Sequence, residues 1–264
     1  MTRTIVITSG KGGVGKTTIS ANLGAALAYR GRSVALIDAD FGLRNMDLLL
    51  GLENRVVYTA LDVLAGECRL EQALVKDKRY EGLALLPAAQ NRNKEAISSE
   101  QIGQLVGDLA QSYDYILIDS PAGIEMGFKN AIAAAQEAIV IATPEVASVR
   151  DADRVIGLLE SNEVQQTQLI VNRVKPQMVK ADEMMGVNDI LDILAIPLLG
   201  IVPDDERLIV SSNRGEPLIG GSDPSLPAMA MINIARRLEG EQVRVLDLMA
   251  SQNNLIERIK NWFR

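Results

Sequence analysis

The 264-residue sequence contains no histidine and a single cysteine, Cys68. Without histidine there is no imidazole general base, no Ser-His-Asp triad and no histidine-ligated metal. One cysteine forms no internal disulfide, and there is no cysteine cluster to hold zinc or an iron–sulfur centre. Any chemistry must therefore use carboxylates, lysines, hydroxyls, backbone dipoles or a hard metal ion.

Long apolar runs and an excess of positive charge are also missing. No run of about 18 or more apolar residues occurs, so no transmembrane helix is predicted. A strand-like segment follows Met1 almost directly, so we expect no signal or transit peptide and a cytoplasmic protein. The 27 basic and 34 acidic side chains give a net charge of −7, which argues against binding nucleic acid through the whole surface.

Short aliphatic and β-branched segments alternate with longer segments of helical character. The predicted strands are 4–8, 33–37, 83–86, 115–119, 138–142, 168–172 and 198–202, and the predicted helices include 16–30, 99–111, 147–160 and 189–194. Several strands are apolar throughout, which is typical of strands buried on both faces of a parallel sheet. The sequence therefore predicts an α/β fold: one domain with a doubly wound, mostly parallel sheet flanked by helices.

The strongest motif is a glycine-rich segment that follows the first predicted strand and opens the first helix. It matches G-x-x-x-x-G-K-[ST], the phosphate-binding loop of P-loop NTPases. Glycines let backbone N–H groups turn toward phosphate oxygens, and the helix N-terminus adds positive potential. We expect Lys16 to reach the β- and γ-phosphates, Thr17 to ligate Mg²⁺ and Thr18 to lie near the α-phosphate. The predicted nucleotide-binding residues are Gly10, Lys11, Gly12, Gly13, Val14, Gly15, Lys16, Thr17 and Thr18.

A second lysine, Lys11, stands directly after the first glycine of this segment. The run K-G-G-V-G-K-T-T resembles the deviant Walker A family of ATPases, which includes MinD and ParA proteins. In that family the additional lysine crosses a dimer interface to the partner's nucleotide. The resemblance therefore implies that Lys11 is a catalytic cation acting in trans, beside Lys16 of the same chain.

Two further segments follow in the order found in that family. Residues 37–40, Ile-Asp-Ala-Asp, resemble its switch I, which implies that Asp40 orients or deprotonates the attacking water and lies at the Mg²⁺ site with Thr17. Residues 115–123 resemble Walker B and switch II, which implies that Asp119 holds Mg²⁺. The switch II residues would be Asp119, Ser120, Pro121, Ala122 and Gly123. Taken singly, each aspartate is equally compatible with capping the next helix.

Adenine recognition is predicted from two strand ends. The family places an asparagine against the base, and Asn172 ends a predicted strand. Pro203 lies in the segment that resembles the loop flanking the base. The alternative for Asn172 is a turn residue ahead of Pro176. The guanine-selecting N-K-x-D pattern is not evident, so ATP is the predicted nucleotide.

Three stretches, 41–47, 119–125 and 144–154, resemble the MinD branch of the family. That branch implies an ATP-dependent homodimer that recruits a MinC-like division inhibitor to the membrane. A MinE-like or other activator would stimulate hydrolysis and release it. The alternative is a ParA-type DNA-segregation ATPase, which would require a basic DNA-binding face. A nucleotide-binding module with negligible hydrolysis also remains open.

The last ten residues form a candidate membrane-targeting helix. Their large apolar side chains are Leu255, Ile256, Ile259, Trp262 and Phe263. At about 100° per residue these fall within an arc of about 120°, flanked by Arg258 and Lys260. This pattern suits the interface of a membrane with anionic lipids; the alternative is a helix packed on the domain's own core. We predict an ATPase domain over 1–238, a polar, helix-compatible connecting segment over 239–254 and this tail over 255–264.

Overall fold

The computed structural model describes residues 1–40, 44–89, 97–220 and 225–248. Its strands are β1 (Arg3–Thr8), β2 (Val34–Asp38), β3 (Val75–Lys76), β4 (Leu83–Leu86), β5 (Tyr115–Asp119), β6 (Glu137–Ala142), β7 (Gln166–Val174) and β8 (Leu198–Pro203). Its helices are α1 (Lys16–Tyr29), α2 (Met46–Leu49), α3 (Ala60–Leu64), α4 (Leu70–Ala73), α5 (Ser99–Leu109), α6 (Met126–Ala133), α7 (Val146–Ser161), α8 (Pro176–Lys180), α9 (Val187–Leu194), α10 (Glu206–Arg214) and α11 (Leu226–Leu238). The predicted tail lies outside the described residues.

The eight strands form one sheet in the order β3-β4-β2-β5-β1-β6-β7-β8. Every pairing is parallel except that of β3 with β4. The predicted α/β class and all seven predicted strands are confirmed. β3 is not among the predicted strands, because a two-residue strand has no recognisable periodicity.

Alternate residues of the central strands enter hydrophobic clusters on opposite faces of the sheet. Ile5 and Ile7 belong to the cluster that includes α1 and α11, whereas Val6 belongs to the cluster that includes α5, α6, α7 and α9. Both faces are therefore covered by helices. This burial explains why the strands have continuous aliphatic sequences rather than an alternating pattern.

The helices that the analysis predicted are confirmed with shifts of one or two residues at their ends, which is the usual uncertainty of helix boundaries. It did not identify α11, which begins after the cap of Ser225 on the Ala228 N–H. Residues 239–248, which the sequence pattern left compatible with a helix, form no helix. Gly240, at φ 90°, ends the helical path, and Glu239 pairs with Arg30 and Arg32 near the end of α1.

The carboxyl ends of β2, β5 and β1 lie side by side in the sheet. Ligands of open α/β sheets bind at this edge, where strand order reverses direction. The glycine-rich segment follows β1, the Asp38–Asp40 segment follows β2, and Asp119 ends β5. The fold thus brings together three motifs that are spread over residues 10–119 of the chain. Among the helices described, none has the length and apolar composition needed to span a bilayer.

Candidate nucleotide-binding site

A cavity of about 510 Å³ lies where the three motifs meet. It is lined by Gly12, Gly13, Gly15, Lys16, Thr17, Thr18, Asp40, Asn45, Leu48, Leu49, Ala122, Arg173, Ser212 and Asn213. Asp119 does not line it but interacts with Thr17, which does, and Asp119 is in register with Ile7 of β1 and Asp38 of β2. The predicted loop, switch I and switch II residues therefore share one site.

The glycine-rich loop has a backbone that requires glycine. Gly13 and Gly15 adopt φ values of 77° and 97°, in the left-handed region that side chains disfavour. A Cβ atom at Gly15 would also lie only 2.5 Å from Nδ2 of Asn172. Gly15 is the residue before α1 and offers no side-chain cap, so the first N–H groups of α1 remain available to an anion.

Lys16 is buried at this helix start, with 8% of its surface exposed. Its Nζ donates to Oγ of Ser9 at 3.0 Å, and the Ser9 hydroxyl lies 2.8 Å from the carbonyl of Lys11. Burial lowers the pKa of Lys16, while the charges of Asp119 and Asp40 oppose that shift. The sequence analysis missed Ser9, although a polar residue directly before Gly10 at a buried strand end was a usable signal.

Asp119 is almost fully buried, with 1% of its surface exposed. The Ser20 hydroxyl lies 2.8 Å from Oδ1, and Oδ2 has no hydrogen-bond partner among the described residues. Burial raises the pKa of Asp119 to about 6, opposed by Thr17, Ser20 and Lys16. Ser20 was also missed; it stands one helical turn after Lys16 and so faces the same side of α1.

Asp38 is a second buried carboxyl beside Asp119, and the analysis did not include it among the site residues. Burial raises the pKa of Asp38 to about 8, and the charge of Asp119 adds to the rise. The backbone N–H groups of Asp40 and Met46 donate to it at 3.1 and 3.4 Å. Asp38 therefore connects the loop that carries Asp40 to the start of α2.

The donor set at this point fits Mg²⁺ bound together with a nucleotide. Within the described ranges, no group of three or more acidic, cysteine or histidine side chains forms a metal cage. The available ligands are instead the Thr17 hydroxyl and the carboxylates of Asp40 and Asp119, beside a phosphate-binding loop. Mg²⁺ favours such sites because it retains waters and shares its coordination with phosphates. The unpartnered Oδ2 of Asp119 is consistent with this use.

Lys11 lies apart from the other loop residues. Its side chain is 48% exposed, and its Nζ is 3.7 Å from a carboxylate oxygen of Glu145. It is not part of the lining of the 510 Å³ cavity. Gly10 beside it packs tightly, since a Cβ there would lie 2.3 Å from the Asp151 carbonyl oxygen. In switch II, Ala122 lines the cavity, and Gly123 has a φ of 89°.

A larger cavity of about 1340 Å³ opens beside the loop and includes Asn172 and Asp204 in its lining. Asn172 is buried, its Nδ2 donates to the Val14 carbonyl at 2.8 Å, and its Oδ1 has no partner among the described residues. Asn172 thus supports the glycine-rich loop as well as facing this space. Pro203 is buried at the end of β8 and lies outside the lining residues, which include its neighbour Asp204 instead.

Comparisons with known proteins agree on one family. Residues 5–218 match the family model "CobQ/CobB/MinD/ParA nucleotide binding domain". The chain is 62% identical over 260 residues to a septum site-determining protein MinD of Synechocystis sp., covering 98% of each protein. The chain belongs to the MinD family. It is therefore a P-loop ATPase of the septum site-determining class, as the resemblance predicted.

Solved structures of MinD proteins have the same fold. A MinC:MinD cell division complex from Aquifex aeolicus matches with a TM-score of 0.84 at 50% identity, covering 93% of this chain and 98% of that one. MinD of Pyrococcus horikoshii complexed with Mg-ADP matches with a TM-score of 0.82 at 32% identity, covering 90% and 96%. The ParA alternative is less supported, because the relative of high identity is a MinD protein.

Proposed function

We propose that this MinD-family chain hydrolyses ATP to ADP and phosphate and uses that cycle to recruit a division inhibitor to the membrane. One observation carries the proposal: residues of the glycine-rich loop, the buried Lys16 and Asp40 line a single cavity, and Asp119 interacts with Thr17 of that lining. Phosphoryl transfer depends mainly on positioning and charge stabilisation. These groups supply both without histidine or cysteine.

Each residue of the site has a separate role in binding or hydrolysing the nucleotide. The first N–H groups of α1 and the loop amides bind the phosphates, and Lys16 neutralises charge on the β- and γ-phosphates. Thr17, Asp40 and Asp119 would hold Mg²⁺, which when bound neutralises phosphate oxygens during transfer. Asp40 lines the cavity wall and orients the attacking water. Asn172 keeps the loop in place through Val14 and faces the space proposed for adenine.

A homodimer would complete the site. Lys11 is half-exposed, and Glu145, with which it forms an ion pair, is itself exposed, so the ammonium is accessible to a partner's nucleotide. Apolar side chains near switch II and Glu145 are exposed as well, namely Ile124, Met126 and Val146. Exposed apolar groups around a cationic contact are suited to a protein interface. We propose that Lys11 contacts the nucleotide of the second copy across this face.

The dimer would act through its partners. A MinD relative is known in a complex with MinC, and we propose a MinC-like inhibitor and a MinE-like or other activator as partners of this chain. Membrane attachment is proposed through the tail residues 255–264. Its five large apolar side chains gain at most about 8–15 kcal/mol on full burial, against an ordering cost of about 10–15 kcal/mol. One tail is therefore marginal, and two tails in a dimer gain through effective concentration.

Phosphate release in the presence of liposomes, Mg²⁺ and a MinE-like activator tests the enzymatic part of this proposal. Asp40→Asn should retain ATP binding and lower kcat about a hundredfold or more, because it removes the carboxylate that orients the attacking water. Lys16→Ala should raise the Kd for ATP about tenfold to a hundredfold. Lys78→Ala, which removes an exposed lysine outside the cavity, is the matched control. Parent-like turnover in Asp40→Asn would refute its role, and no turnover by the parent would refute hydrolysis.

A further inference from the structure

We propose that Arg79, which does not line the nucleotide cavity, positions the two helices α2 and α10 that form two walls of that cavity. The inference rests on the proposed function only in taking the cavity as the nucleotide site. Arg79 lies in the turn between β3 and β4, at the antiparallel edge of the sheet. Its guanidinium connects that turn to two separate helices whose residues face the cavity.

The guanidinium of Arg79 has donors directed at three places. Nη1 donates to the carbonyl of Gly215 at 2.8 Å, and Nη2 donates to the carbonyl of Leu50. Nη2 also lies 2.8 Å from Oδ2 of Asp77, a carboxylate whose side chain is 1% exposed. Arginine suits this position because its planar fork places donors on separate nitrogen atoms, whereas a lysine ammonium has its three donors on one nitrogen.

Both carbonyls stand at the ends of helices that form the cavity walls. Leu50 is the C-cap of α2, and Gly215 is the C-cap of α10. Carbonyls at helix ends have no partner within the helix and require one from outside. The lining residues Leu48 and Leu49 belong to α2. Arg79 therefore forms a direct hydrogen bond to the C-terminal end of each of these two helices.

The contact between the two walls is a backbone contact. A Cβ at Gly51 would lie 2.7 Å from the carbonyl oxygen of Gly215, and a Cβ at Gly215 would lie 2.6 Å from Cα of Gly51. Both glycines have positive φ, at 59° and 64°. Neither glycine has a side chain to hold this approach in place, although Leu49 of α2 and Leu208 of α10 pack against the same hydrophobic cluster. Arg79 provides hydrogen bonds on both sides of the contact.

The α10 wall contributes Ser212 and Asn213 to the cavity. The opposite end of α2 is held by Asp38, which accepts the Met46 N–H. Arg79 and Asp38 thus form hydrogen bonds at the two ends of α2, and neither residue lines the cavity. Loss of the Arg79 hydrogen bonds would let α2 and α10 move. Arg79 itself contacts neither the glycine-rich loop nor Asp119.

Hydrogen exchange of the nucleotide-free protein tests this arrangement directly. Arg79→Ala should increase exchange in the segments 46–52 and 206–216 together, and it should raise the Kd for a fluorescent ADP analogue about tenfold. The matched control is Arg55→Ala. Arg55 lies at the same sheet edge and donates to the Lys76 carbonyl, so we expect its removal to change neither quantity.

Arg79→Lys separates positioning from general stability. A lysine can keep the ion pair with Asp77, so we expect a near-parental Tm, whereas the Kd should stay raised because one ammonium cannot bridge both carbonyls. Unchanged exchange in either segment of Arg79→Ala, or a lower Tm with parental Kd, would overturn the inference. Failure of the parent to bind the analogue would refute the nucleotide site. The hydrogen-exchange data would still show whether Arg79 holds α2 and α10.

Discussion

Two carboxyls of the site, Asp38 and Asp119 at the strand ends, are buried, and burial of their charged forms lowers the stability of the fold. A buried charge is unfavourable unless it is paired or neutralised. Burial raises the pKa of Asp38 to about 8 and that of Asp119 to about 6, so the nucleotide-free protein binds protons here that the unfolded chain releases. The site is electrostatically prepared for a cation, at the expense of stability when none is bound.

Asp38 therefore predicts a pH dependence of stability. Its pKa is about 4 in an unfolded chain and about 8 in the folded one, so the folded state holds the proton more tightly. As pH rises from 4 toward 8, this group should lower the free energy of unfolding by at most about 1.4 kcal/mol per pH unit. Above pH 8 the effect stays constant. Asp38→Asn carries no such proton, so parent and variant should diverge over this range in nucleotide-free denaturation.

Asp114→Asn is the control for that measurement. Hydrogen bonds from the backbone and hydroxyl of Ser33 lower the pKa of Asp114, so this carboxyl titrates below the range studied. Its replacement should displace the stability curve without changing the slope between pH 5 and pH 8. If the curves of Asp38→Asn and the parent run parallel there, the buried carboxyl is not protonated as described.

At the scale of elements, glycines decide how closely helices approach the sheet. Gly200 lies in β8 beneath α11, and a Cβ there would be 2.3 Å from Cγ1 of Ile234. Ile234 is buried in the hydrophobic cluster on that face. The added methyl group must therefore displace core atoms, and overpacking of this kind is destabilising.

We expect Gly200→Ala to lower the free energy of unfolding by about 1–3 kcal/mol. Urea denaturation of the nucleotide-free protein measures this change. Gly107→Ala is the matched control, because Gly107 lies in the interior of α5 with no atom near the added Cβ. That variant should instead gain about 0.5–1 kcal/mol from helix propensity. A parent-like Gly200→Ala would mean that α11 shifts freely on the sheet.

At the scale of the whole molecule, the proposed function depends on a second copy and on the tail. Sedimentation with anionic liposomes should pellet the full chain with a non-hydrolysable ATP analogue and leave it in solution with ADP. The physical reason is that two weakly binding tails act together only in the dimer. A chain ending at Asn254 should stay in solution with either nucleotide.

A charge-matched pair of variants tests the tail's apolar face. Ile259→Glu places a carboxylate within the predicted apolar arc, and Asn261→Glu places the same charge on the opposite side of the helix. Only the first should abolish pelleting. If both variants pellet equally, or if nucleotide and tail make no difference, the membrane proposal fails and DNA binding is the next property to measure.

The sequence by itself determined the fold class, the phosphate-binding loop and the family. These follow from local patterns: an aliphatic strand has its own composition, and a glycine-rich loop before a helix has its own conformation. The site residues Lys16, Thr17, Asp40 and Asp119 could be predicted for the same reason. The confirmed family follows from a run of residues that are contiguous along the chain.

Tertiary structure alone decided which distant groups meet. Ser20 contacts Asp119 only because β5 lies beside β1, and Arg79 reaches Leu50 and Gly215 only because a two-residue strand adds to the sheet edge. No local pattern encodes such contacts, since they depend on the order of the strands and on the close approach of the ends of α2 and α10 at two glycines. Burial, which raises the pKa of Asp38, is likewise a property of the packed molecule and not of the segment that carries the residue.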